Sequence, residues 1–210
     1  MNYLFWKRVF DVVASTGALL VLSPVFLVTA VLIKLDSRGP VFFHQERLGR
    51  GGEPFKVHKF RSMYLGAEKL GVYEMKDDPR VTRVGRVLRR LSINELPQFF
   101  NILKGEMSLI GPRPVMPHQP WDWSKATPAQ RHRFGVKPGL TGWAQVHGRM
   151  NVPWDRRVEY DADYVDRISP SLDLKIILRT IVVVLSMKDS YNKFETAPSA
   201  SKRSTDDPDN

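Results

Sequence analysis

Residues 12–33 read VVASTGALLVLSPVFLVTAVLI, twenty-two positions without a charge between Asp11 and Lys34. As one helix the run would measure about 33 Å, the thickness of a hydrocarbon core. A core helix of a soluble domain normally carries a polar stripe, and here only Ser, Thr and Gly interrupt the apolar residues, so the run reads as membrane-inserted. It is too long for a signal-peptide core and lacks a small-x-small cleavage site, so it is expected to stay in the mature protein. Ser23-Pro24 falls at its middle, where proline removes an amide donor and a serine hydroxyl can satisfy the freed backbone, so a bend is expected. Lys7 and Arg8 precede the run, and Lys34, Arg38, Arg47 and Arg50 follow it. The positive-inside rule places both flanks on the cytoplasmic side. A helix–break–helix hairpin with arms of about 17 Å satisfies that, whereas the alternative, a proline-kinked single span, does not.

The whole chain has 210 residues, 32 basic against 22 acidic, a formal net charge of +10. That length suits one domain with its own core. The charge calls for anionic partners: nucleic acid, phospholipid headgroups or a phosphorylated ligand. A nucleic-acid module would have no use for the uncharged run, so nucleic acid is not expected. The absence of cysteine excludes disulfides, thiol nucleophiles and Cys-ligated metals. Val41–Phe43 and Pro54–Phe60 read as short strands joined through the glycines of 48–52. Neither G-x-G-x-x-G nor G-x-x-x-x-G-K-[ST] occurs, which excludes a Rossmann turn or a P-loop.

Residues 80–90, RVTRVGRVLRR, predict an amphipathic helix with Arg80, Arg83, Arg86 and Arg90 on one face, arginine being the side chain suited to bidentate oxyanion binding. In LSINELPQFFN (91–101), Pro97 fits the first helical position, which sets Asn94 and Glu95 at the helix start, among exposed amide donors. Two prolines aim Arg113 in Gly111-Pro112-Arg113-Pro114. Asp161, Asp163 and Asp166 lack an EF-hand pattern and read as a solvated helix face. Residues 172–187 predict an apolar helix packed on the domain or lying in the interface. Trp6, Trp121, Trp123, Trp143 and Trp154 suit either interfacial anchoring or burial. The five histidines show no ligand spacing.

These blocks, with Phe55–Met63, Asn94–Gln98, Lys104–Pro114 and Val136–Val146 in that order, resemble the bacterial sugar transferases, the monotopic polyprenol-phosphate phosphoglycosyl transferases, from about residue 7 to Leu185. The resemblance implies an α+β, mostly helical fold: a re-entrant membrane hairpin (1–36) and a small catalytic domain (37–192) with a short β-hairpin and interfacial amphipathic helices; the Ser-, Pro-, Asp- and Lys-rich end reads by composition as a disordered tail (193–210). It implies a monotopic enzyme on the cytoplasmic face of the bacterial inner membrane. Such an enzyme moves a phosphosugar from a UDP-sugar to polyprenol phosphate with Mg2+ and releases UMP, the first membrane step of surface glycan assembly; a homo-oligomer is compatible with this. Family members carry an Asp-Glu pair at Asn94-Glu95, the Asp as nucleophile and the Glu supporting the metal or proton transfer. Arg89 and Arg113 match phosphate-binding positions, with Lys59 and Arg61 as further candidates. Asn94 departs from the pattern, because a carboxamide is a poor nucleophile and a weak metal ligand. Three readings follow: Glu95 takes the nucleophile role, an inactivating substitution has been made, or the chain is a natural variant of altered activity. The alternative to catalysis is a membrane-bound substrate-binding scaffold.

Overall fold

Helix α1 (Tyr3–Val21) and helix α2 (Ser23–Asp36) meet at a 60° bend. Pro24 has no N–H, which leaves the Leu20 carbonyl four residues earlier without its helical donor. The Ser23 hydroxyl donates to that carbonyl at 2.8 Å. The break therefore falls where the sequence places it, and the adjacent hydroxyl repairs the defect that the proline creates. In the computed structural model, residues 3–71, 78–118, 122–148 and 152–185 are described; the expected tail (193–210), Met187 and Trp121 lie outside them. Among the described residues no single helix is long and apolar enough to cross a membrane, whereas the bent pair passes by length and composition.

Helix α1 is polar toward the protein and apolar away from it. Lys7, Asp11 and Ser15, spaced by four and hence on one face, are buried, while Phe5, Phe10, Val13 and Leu20 are exposed. Lys7 and Arg8 precede the uncharged run, as the sequence places them, and as part of α1 they also dock it. Lys7 Nζ donates to Asp173 Oδ2 at 2.6 Å and the Tyr3 hydroxyl donates to the same oxygen. Arg8 donates to the Ile102 and Leu103 carbonyls, and Asp11 accepts the Leu109 N–H. At the far end of the hairpin, Asp36 accepts the Val84 N–H and Arg61 donates to Ser37 and Pro40. Both ends of the bent pair are thus bonded to one body.

That body is α+β and mostly helical. Strands β1 (Phe42–Leu48) and β2 (Pro54–Phe60) form an antiparallel hairpin with Phe42 opposite Phe60. Their turn uses Gly51 and Gly52 at φ 72° and 82°, where a Cβ would be strained. Then come α3 (Arg83–Arg90), α4 (Gln98–Lys104), β3 (Ser108–Ile110), α5 (Pro128–Arg131), β4 (Gly139–Thr141), α6 (Trp143–Val146), α7 (Trp154–Arg167) and α8 (Pro170–Leu185). Strands β3 and β4 pair in parallel. One part of the core gathers Val57, Phe99, Ile102 and Met107 beneath α1, and another gathers Ile110, Trp143, Tyr164 and Ile176 between the second sheet and helices α7 and α8.

Two expectations are corrected. Helix α3 begins at Arg83, because the Thr82 hydroxyl caps it by accepting from Gly85 N–H. Arg80 therefore leaves the arginine face and lies buried against Asp78 at 2.6 Å. Asp161 is buried against Arg133 rather than solvated, because Arg133 offers a partner inside the fold. Trp123 and Trp143 are core residues, and Trp6 on α1 is exposed. Helix α8 packs on the body through Leu172 and Ile176 and exposes Leu174, Leu178, Ile181 and Val182.

Candidate active site

The site begins at the end of α3. Ser92 adopts φ 59°, ψ 15°, a left-handed conformation that costs an L-residue about 1 kcal/mol, and it redirects the chain into a single 3-10 turn, Ile93–Glu95. Pro97 is the N-cap of α4 rather than its first residue, one position from the expectation. Helix α4 has seven residues, so the anion-attracting force near Asn94 and Glu95 comes from side-chain cations rather than from a long helix dipole.

Glu95 Oε1 accepts from Arg113 Nη2 at 2.9 Å and lies 3.6 Å from Lys59 Nζ, while Oε2 accepts from Gln98 Nε2 at 3.2 Å. Burial raises the proton affinity of the carboxyl, but the charges of Arg113 and Lys59 and the hydrogen bonds from Arg113 and Gln98 outweigh it. Glu95 is held well below the usual carboxylate range and stays ionised.

Arg113 is aimed by backbone packing as well as by its two prolines. Gly111 N–H donates to Thr141 O and Gly139 N–H to Pro112 O. A Cβ on Gly142 would fall 2.1 Å from the Gly111 carbonyl oxygen, and one on Gly139 would fall 2.1 Å from the Gly111 nitrogen. These glycines let two loops stack main chain on main chain. Gly142→Ala is expected to cost about 2–3 kcal/mol through overpacking, read as a lowered Tm, and to reduce activity through displacement of Arg113.

Asn94, Glu95, Lys59, Arg61, Arg89 and Arg113 all line one cavity of ≈ 770 Å³, within the size range of small-molecule sites. Arg89 Nε donates to the Ser62 hydroxyl at 2.7 Å. The carboxamide of Asn94 is half-buried and makes no hydrogen bond among the described residues. Arg61 reaches the cavity, but its Nε, Nη1 and Nη2 donate to Pro40 O, Ser37 Oγ and Ser37 O, so it clamps the hairpin to the end of α2. Ser23 and Pro24 do not line the cavity; they form the bend. Phe10 of α1 and Ile177 and Ile181 of α8 add apolar lining. The cavity thus joins a cationic floor to a hydrocarbon wall that continues the exposed apolar faces of both helices. Arg133, Asp161 and Gln145 also line it, although the sequence reading assigned them no role in the site.

Among the described residues no three His, Asp or Glu side chains converge. Mg2+ commonly binds through one or two carboxylates together with substrate phosphates and waters. Glu95, ionised and next in sequence to Asn94, supplies such a single protein carboxylate, its oxygens shared with Arg113, Lys59 and Gln98.

The bacterial sugar transferase family model matches residues 2–187. Over 188 residues the chain is 47% identical to a UDP-N-acetylgalactosamine-undecaprenyl-phosphate N-acetylgalactosaminephosphotransferase of Aeromonas hydrophila, a match covering 88% of this chain and 44% of that protein. It is 49% identical over 187 residues to an undecaprenyl-phosphate glucose phosphotransferase of Komagataeibacter xylinus, covering 83% and 35%. It is 44% identical over 180 residues to the sugar transferase EpsL of Bacillus subtilis, covering 85% and 87%. The chain therefore spans less than half the length of the first two relatives and most of the third. With the family model matched from one end of the described residues to the other, the chain belongs to the bacterial sugar transferase family.

Proposed function

We propose that this chain transfers a phosphosugar from a UDP-sugar to polyprenol phosphate at the membrane surface, yielding polyprenol-diphosphate sugar and UMP. The observation that carries the reading is the cavity that holds ionised Glu95 between Arg113 and Lys59, with Arg89 nearby, and whose lining runs onto the apolar faces of α1 and α8. Phosphoryl transfer is chiefly a matter of position and charge neutralisation, and these cations supply both to a diphosphate. The named relatives act on undecaprenyl phosphate, whose phosphate sits at headgroup level and whose chain stays in lipid.

Within this reading Glu95 orients Arg113 and Lys59 toward the substrate phosphates and is the protein ligand for Mg2+, with Asn94 contributing its carboxamide oxygen. Bound Mg2+ would neutralise charge on the diphosphate. Asn94 lacks the carboxylate that the family resemblance implies for a covalent step.

The membrane placement is part of the proposal. The outward apolar and inward polar faces of α1, and the attachment of both hairpin ends to one body, support a re-entrant hairpin entering and leaving by the cytoplasmic leaflet. Because the chain has no cysteine, single-cysteine labelling at Phe5 and Arg38 tests it: both sites are expected to react from the side of the main body. Reaction of Phe5→Cys from the opposite side overturns the placement. The activity is tested by UMP release from a panel of UDP-sugars with polyprenol phosphate and Mg2+ in lipid vesicles. Release is expected with at least one sugar and is expected to stop when EDTA removes Mg2+.

A further inference from the structure

We infer that Arg133, Asp161 and Gln145 form a second subsite of the cavity, which receives a neutral hydrogen-bonding edge of the sugar nucleotide. The inference rests on the activity proposed above and concerns the part of the donor that is not phosphate.

Arg133 is 2% exposed and Asp161 1%. Arg133 Nη2 donates to Asp161 Oδ2 at 2.7 Å and to the Arg113 carbonyl at 2.8 Å, and its guanidinium lies 5.1 Å from the ring centre of Trp123. After these contacts Arg133 Nη1, Asp161 Oδ1 and both amide atoms of Gln145 remain buried without a hydrogen-bond partner among the described residues. Buried polar atoms are nearly always paired, because leaving them unpaired forfeits their hydration. Four such atoms on three side chains lining one cavity match a ligand edge rather than a packing defect.

The charges define the ligand. Arg157, buried and lining the same cavity, adds a second positive charge near Asp161, yet an anion meeting the free Arg133 N–H would still meet the free Asp161 oxygen. The set offers donors at Arg133 Nη1 and Gln145 Nε2 and acceptors at Asp161 Oδ1 and Gln145 Oε1. A neutral group that gives and takes hydrogen bonds side by side complements it: adjacent sugar hydroxyls or the imide edge of uracil. The position agrees, because Arg133 is bonded to the backbone of Arg113, whose own side chain reaches Glu95. The subsite therefore lies about one arginine side chain from the phosphate-binding cations, the distance at which the groups flanking a diphosphate would fall.

Gln145→Met in the full chain is the decisive variant, since the amide makes no internal hydrogen bond and its loss removes none. Tm is expected to hold, while KM for UDP-sugar and Kd for UDP-glucose rise about tenfold, with a smaller effect on kcat. UMP and sugar epimers separate the two sources. A parallel rise in the UMP inhibition constant assigns the edge to the nucleoside. An unchanged UMP constant with lost discrimination between UDP-glucose and UDP-galactose assigns it to the sugar. An unchanged Kd for UDP-glucose in folded Gln145→Met overturns the subsite. Binding without turnover by the wild-type chain would sink the activity while leaving the subsite to be judged on Kd, and absence of binding would sink both. Asp161→Asn should shift the same constants, but it also unpairs a buried arginine, so Gln145 carries the decision.

Discussion

Glu95→Gln is expected to lower UMP release at saturating substrates by about 10²–10³-fold, the size of effect seen when one preorganised electrostatic group is removed from a transition state. Glutamine keeps the shape and can still accept from Arg113, so the chain should stay folded, with a Tm lowered by the loss of the ion pairs; what disappears is the negative charge that aligns Arg113 and Lys59 and that, in the function proposed above, would hold Mg2+. Asn94→Asp is the companion test. It adds a carboxylate beside Glu95, supplies the nucleophile that the resemblance implies, and should raise turnover. If the first variant loses nothing and the second gains nothing, the reacting centre lies elsewhere in the cavity. The pH dependence has a definite sign. The folded-state pKa of Glu95 lies below its unfolded value near about 4.3. The stabilisation from its ion pairs is therefore complete above that value and is lost only as pH falls toward the folded pKa. An acid limb of activity above pH 5 thus belongs to another group. In Arg113→Ala the loss of the strongest opposing charge lets burial raise the Glu95 pKa, and the acid limb should move upward.

Asp173→Ala is expected to cost about 3–5 kcal/mol, the usual penalty for stranding one partner of a buried ion pair. Lys7 would be left buried without its counter-ion, and the hydroxyls of Tyr3 and Tyr164, which both donate to Asp173, would lose their acceptor. The consequence is local before it is global, since these bonds hold the start of α1 against α8 and α7. Limited proteolysis should therefore cut near residue 10 in Asp173→Ala under conditions that spare the wild-type chain, and Tm should fall. Lys7→Met combined with Asp173→Leu should recover the part of the loss that comes from stranding Lys7, while the Tyr3 and Tyr164 hydroxyls stay without their Asp173 acceptor. Full stability of Asp173→Ala would show that the hairpin is held by lipid and apolar packing instead.

Much of the fold was legible in order. The broken apolar run, the β-hairpin with its glycine turn and the aimed loop of Arg113 all arise from neighbours in sequence: a proline beside a serine, alternating residues, two prolines around one arginine. The start of α3 was misplaced because the cap at Thr82 competes with the arginine periodicity that extends the pattern back to Arg80. Asp161 was misread for a different reason. An aspartate on a helix is solvated by default, and only the arrival of Arg133 from a distant loop makes its burial tolerable.

The bend at Ser23-Pro24 was determined by the sequence alone, because a missing amide proton is a local fact. So was the order of the family's blocks. Tertiary structure decided which cations meet Glu95, that Arg61 serves as a clamp, that Lys7 and Arg8 are docking residues, and that Arg133, Asp161 and Gln145 share one cavity wall. Each of those depends on the distance between side chains far apart along the chain, a quantity set only when the core closes around them.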